Sequence, residues 1–267
     1  MFSEDSYPHS CIEEELKTRL KIAQDSAYDN YENAVQKGRN VVDDIKKDTN
    51  MYKNNTKMRR VFTQLHSYKN DIQKQINNLE KLKDNIREEY KDYLSVVVKA
   101  IVENAQDSLM KSISNRTEDR DQADNHIQDA KNEFKRQAQE DLKKDRNEAE
   151  EATEPKYAEL HKQMIEVAFN EDLNKKLKKV EKRILAASDQ IKANIEKYKS
   201  WKKMYEDWQR EFAINTSAEV KQLNDYLDQE KARQKNLSRS YGLTRYMRQE
   251  ANRVCFLNCV NSKRAPC

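Results

Sequence analysis

Between Leu173 and Phe212 the apolar residues fall on one seam of a helix. Leu177, Ile184, Ile191, Tyr198, Tyr205 and Phe212 recur every seven residues, and Leu173, Val180, Ala187, Trp201 and Trp208 fill the second seam position, with Asn194 the polar interruption. Apolar steps alternating between three and four residues are the signature of heptad packing. At 1.5 Å per residue such a helix runs on the order of 60 Å, against roughly 30 Å for a compact small domain. A chain that contains it is expected to build an elongated antiparallel helical bundle or coiled coil of long helices, in the all-α class.

Composition narrows the alternatives. Two Gly and three Pro in 267 residues, with 37% charged residues, leave few sites for sharp turns and argue against a strand-dominated fold. Gly38 and Gly242 are too far apart to form a phosphate-cradling loop, which excludes P-loop and Rossmann nucleotide sites and leaves no cofactor to expect. No apolar run reaches the roughly 18 residues needed to cross a bilayer; even Leu94 to Val102 is interrupted by Ser95 and Lys99.

The start Met1-Phe2-Ser3-Glu4-Asp5-Ser6 lacks the basic and apolar regions of a secretory leader, so either the protein is cytosolic or its signal peptide has been removed. The cysteines bear on this choice. Cys11 stands near one end and Cys255, Cys259 and Cys267 near the other. Two disulfides joining the ends of a rod, with Cys11 bonded to Cys255 or Cys259, are expected in a secreted protein. Free thiols in a cytosolic coiled coil and a zinc site including His9 are the alternatives, although the spacing fits no common zinc pattern.

Taken in order, the spacing predicts one elongated helical domain over 1–267 with helices at about 11–47, 57–114, 117–152, 155–169, 171–214, 217–240 and 244–262. Ser10 to Glu13 and Thr216 to Glu219 read as capping boxes, and Asp48 to Thr56 as a turn. Asn115-Arg116-Thr117, Pro155 and Gly242 read as breaks. Gly38 falls on the apolar face of the first helix, where the missing Cβ lets another helix come close. The helix at 57–114 matches the seam helix in length, so those two are expected to pair. Thirteen acids and seven bases between Glu118 and Glu154, against five acids and eleven bases between Glu171 and Lys203, suggest that these segments lie side by side.

No catalytic constellation emerges. His9, His66, His126 and His161 are scattered, no serine sits in a nucleophile-elbow pattern, and the abundant carboxylates form no matched acid–base pair. The chain reads as a non-enzyme. Lys175, Lys176, Lys178, Lys179, Lys182 and Arg183 form a candidate polyanion-binding stretch, the competing reading being a solvated face neutralised by the acidic segment. Tyr198, Trp201, Tyr205 and Trp208 fit the seam and read as core before they read as exposed anchors. Asn54, Asn115, Asn215 and Asn236 begin candidate glycosylation sequons, the first three at expected breaks.

The size, the Glu/Lys/Asn-rich helices, the Tyr7-Pro8-His9-Ser10-Cys11 start and the Cys255-x-x-x-Cys259 ending resemble the mosquito salivary proteins of about 34 kilodaltons. The resemblance implies a secreted, non-enzymatic protein that binds a host extracellular protein or cell-surface component and modulates host haemostasis, inflammation or immunity. Glycosaminoglycan is a candidate partner, specific nucleic-acid binding is not expected, and either a monomer or a homodimer fits the seam. The rival expectation is an intracellular coiled-coil scaffold resembling a BAR-type dimer, whose lysines meet anionic lipid.

Overall fold

The computed structural model describes residues 7–93, 95–167 and 173–262. Among them the chain forms five long helices, α1 (Tyr7–Lys47), α2 (Asn55–Glu89), α3 (Val96–Val167), α4 (Leu173–Phe212) and α5 (Ser217–Ser262), with one 3-10 turn at Met51–Lys53 and no strand. The all-α class expected from the heptad seam is what forms. The chain divides into two compact units, residues 1–138 and 139–267, and α3 contributes to both.

In the first unit, Leu16 and Ala27 of α1 join Leu79 and Ile86 of α2, Tyr90 just beyond it, and Val98, Ala105 and Leu109 of α3 in one apolar cluster. Ala34 and Val35 meet Ile72, Ile76 and Ala123 in the next. Numbers rise along α1 and α3 while they fall along α2, so α2 runs antiparallel to both. Phe134 of α3 meets Phe62 of α2 edge to face at 5.9 Å. Gln137 Nε2 donates to the Ile45 carbonyl at the end of α1 (2.9 Å). Each fully buried Leu or Ile here stabilises by about 1.5–3 kcal/mol.

The second unit repeats this plan with the rest of α3, α4 and α5. Tyr198 packs on Tyr226 at 5.7 Å, Glu181 pairs with Arg248, and the Thr216 hydroxyl donates to the Tyr205 carbonyl (2.9 Å), so α4 and α5 are antiparallel. On α3, Asp145 accepts from Trp201 Nε1 (3.0 Å) and Lys197 (2.7 Å), and Glu159 accepts from Arg183 (3.2 Å). Acidic α3 and basic α4 therefore do lie side by side within this unit.

The turn between α1 and α2 falls where Asp48 to Thr56 places it. Asp48 Oδ1 accepts from the Asn50 amide, and Asn54 caps α2 by accepting from the Lys57 amide (3.0 Å). Other boundaries differ. Helix 57–114 is interrupted, because α2 ends at Glu89 and α3 begins at Val96. The apolar spacing runs on through Tyr93 and Val97, but the core register shifts by one: Val98 is buried and Val97 is 52% exposed. The expected breaks at Asn115-Arg116-Thr117 and Pro155 are absent, for α3 is continuous across both. Thr117 and Thr153 turn their hydroxyls back onto the carbonyls of Ile113 and Ala149, using within the helix the chemistry that reads as a cap.

Pro155 removes one amide donor, a cost of about 3 kcal/mol in a helix interior, and buried Thr153 and Leu160 hold the helix on either side of it. Gly242 is likewise no cap. It has no positive φ, and α5 runs through it, so the expected helices 217–240 and 244–262 are one. The residue that enters the left-handed region is Ala213 (φ 50°), just after α4. α1 begins at Tyr7, ahead of the Ser10 cap, with Pro8 in the first turn, where its missing amide has no helical partner to lose. Within the first unit α2 packs on α1, and within the second α4 packs on α5. The expected helix end at 169 and helix start at 171 lie outside the described residues.

Candidate polyanion-binding face

Along α4, Leu177, Val180, Ile184 and Ala187 point into the bundle, and Glu181 is buried with them against Arg248 of α5. Helical periodicity then turns Lys175, Lys178, Lys179 and Lys182 outward, and all four are exposed. Lys176 and Arg183 sit half-buried at the flank. Arg183 is neutralised by Glu159, and Lys175 has a partner of its own. Lys176, Lys178, Lys179 and Lys182 form no ion pair among the described residues. The acidic part of α3 makes its contacts with α4 elsewhere, through Asp145 to Lys197 and Trp201. Neutralisation by the 118–154 segment thus does not extend to these lysines. A shallow recess lined by Lys156, Glu159, Leu160, Arg183, Ala186 and Ala187 adjoins the row on the α3 side.

The aromatic residues of the seam are core. Tyr198, Tyr205 and Trp208 are buried, and Trp201 is half-buried with its indole N–H on Asp145. Burial, with Glu230 and Glu150 nearby, pushes the Tyr198 phenol up to about 12, and burial raises Tyr205 further.

Cys11 is exposed with a free thiol. Cys267 lies outside the described residues, as do the side chains of Cys255, Cys259, His9 and His161. All four sequon asparagines are exposed. Asn54 and Asn215 occupy connections, whereas Asn115 and Asn236 stand on the outer faces of α3 and α5, so the expected turn at Asn115 is corrected to a helix surface.

No family model, curated protein or solved structure matches this chain.

A polar cluster inside the second unit is hardly legible in the sequence. Arg146 donates to Glu150 (2.8 Å) and to Tyr226 Oη (2.7 Å), with its guanidinium 4.5 Å from the Tyr226 ring centre. Glu230, 4% exposed, is paired with Arg233 at 3.0 Å and faces Asn194 of α4. Burial raises the pKa of Glu230, with Arg233 and Asn194 opposing the shift. The single sequence signal was Asn194 itself, the polar residue in an apolar seam.

Proposed function

We propose that this chain is a non-enzymatic, secreted binding protein of the salivary type that engages a host extracellular component carrying sulfated glycosaminoglycan through the outer face of α4. The observation that carries this reading is the row Lys178, Lys179 and Lys182, which is exposed and has no ion-pair partner among the described residues. A helix holds its charges in fixed register, so a linear polyanion laid along it meets several ammonium groups at once and releases its counterions. Lysines suit this role because they act as strongly hydrated point charges rather than as a bidentate fork. The exposed sequons at Asn54 and Asn215 are compatible with passage through the secretory route, and Cys11, being unbridged, adds nothing to the argument.

Calorimetric titration of the full chain with heparin at several salt concentrations tests the reading. Wild-type affinity should fall steeply with salt. In K178Q/K179Q/K182Q affinity should drop by about tenfold or more and the salt slope should shrink by about three. Unchanged affinity in the triple variant would remove the reading.

A further inference from the structure

Within the second unit, buried Glu181 of α4 pairs with Arg248 of α5, and this contact fixes the register of the two antiparallel helices. One turn along from the pair, Leu185 of α4 comes level with Arg245 of α5, because numbers rise along one helix as they fall along the other. Leu185 is 46% exposed and Arg245 is exposed, and Tyr241, one turn further along the same flank of α5, is half-buried. Lys178 and Lys182 stand on the α5 side of the outer face of α4, whereas Arg183, on the opposite flank, is the residue that meets Glu159 of α3. Lys178 and Lys182 thus form one wall of a groove and Arg245 the other, with Leu185 and Tyr241 at its floor, on the side of α4 away from acidic α3.

The charge of this groove is strongly one-sided. Residues 175–192 carry seven bases and two acids, and residues 235–253 five bases and one acid. Each of the three acids is already held: Glu181 by Arg248, Asp189 by Lys192 (3.1 Å) and Glu250 by Arg253 (3.2 Å). Lys178, Lys182 and Arg245 form no ion pair among the described residues. Cations on two helices packed about 8–10 Å apart favour a chain that carries anions along both of its edges. Arg245 adds what the lysines lack, a planar fork that donates two hydrogen bonds to one sulfate group. A bilayer fits less well, since one exposed leucine between cationic walls offers little apolar surface to insert.

We propose that Arg245 of α5 is the second wall of the polyanion site and makes it selective for glycosaminoglycan sulfated along both edges, of the heparin type, over a singly sulfated chain. Lys178 and Lys182 hold one edge and Arg245 the other, while Glu181, by holding Arg248, keeps the two walls in register. The proposal rests on the reading of the α4 lysines given above.

The test is calorimetric titration of the full chain with heparin and with chondroitin sulfate of matched length at several salt concentrations. Wild type should bind heparin about tenfold or more tightly than chondroitin sulfate. R245Q, substituted at an exposed position and checked for retained helicity by circular dichroism, should lose about threefold or more in heparin affinity, with a salt slope smaller by about one. Its affinity for chondroitin sulfate should change little, and R245K should keep the salt slope while regaining only part of the heparin affinity. R239Q removes another exposed arginine, about 120° around α5 from Arg245, and should bind heparin as wild type does. Wild type that ignores heparin would overturn this proposal together with the α4 reading. Heparin affinity that falls in K178Q/K179Q/K182Q but is unchanged in R245Q would overturn this proposal alone. So would equal losses in R239Q and R245Q, which would assign the effect to net charge, or equal affinity for heparin, duplex DNA and phosphatidylserine vesicles at matched charge.

Discussion

A Cβ placed on Gly38 would lie 2.7 Å from Nδ1 of His126, so α1 and α3 meet at a point that admits a hydrogen and no methyl group. The glycine is required by this close approach and not by a turn, since its φ is not positive. Gly38→Ala gains up to about 1 kcal/mol of helix propensity but forces the His126 ring to move, a strain of about 1–3 kcal/mol. Urea denaturation should show G38A less stable than wild type. G38A/H126A should recover stability beyond H126A alone, because the propensity gain then acts without the clash; a double variant no more stable than H126A would refute this account.

The same histidine makes the first unit sensitive to mild acid. Desolvation lowers the His126 pKa below 6.5, reinforced by Arg39 and opposed by Asp129 and Asp43. The unfolded chain therefore takes up a proton at a higher pH than the folded one, and stability is lost as pH falls through 6.5 toward the folded pKa. The urea midpoint of the wild type should decline between neutrality and mild acid, and that slope should flatten in His126→Gln. An equal slope in both proteins would assign the sensitivity to other groups.

Glu230 has the opposite sign. Its folded pKa is raised by burial above 4.5, so its ionised form weakens the second unit at neutral pH. Relative stability is full below the unfolded pKa and is lost as pH rises through the folded one. Glu230→Gln, which keeps a carbonyl for Arg233, should raise the neutral-pH melting temperature and lose this advantage under acid conditions. A variant less stable than wild type at neutral pH would mean that the pairing with Arg233 outweighs desolvation.

Asp119 and Arg116, 3.3 Å apart on α3, have side chains only 7% and 11% exposed. Asp119→Ala removes the carboxylate 3.3 Å from Arg116 and breaks this buried pair, so it should lower stability in urea unfolding. Replacing both by apolar residues of similar volume should cost much less. If the single and double changes cost the same, the ionic account fails.

Long-period patterning was legible in the residues themselves, because each helix needs an apolar stripe at 3.6-residue spacing whatever it packs against. The α4 seam, the α1 face and the Asp48 to Thr56 turn were read from that stripe and from cap chemistry. The basic stretch of Lys175, Lys176, Lys178, Lys179, Lys182 and Arg183 was read as one candidate site, and burial then separates the exposed Lys175, Lys178, Lys179 and Lys182 from the half-buried Lys176 and Arg183. The breaks were less legible. Asn115, Thr117 and Gly242 have side-chain or backbone preferences that favour ending a helix by about 1 kcal/mol or less, and packing on both sides outweighs them.

Conversely, nothing local marks the α2–α3 turn. Tyr90, Tyr93 and Val97 keep helical spacing across it, and the interruption is set by Tyr90 and Val98 closing on Leu16 and Ile86. Sequence alone therefore determined the all-α class, the identity of most core residues and the position of the basic stretch at 175–183, since these depend on the pattern along one chain. Tertiary structure decided which helix partners which, where the helices end, which lysines lack a counter-charge and why Asn194 is polar. Those outcomes depend on which side chains meet across helices, and that is a property of the packed bundle.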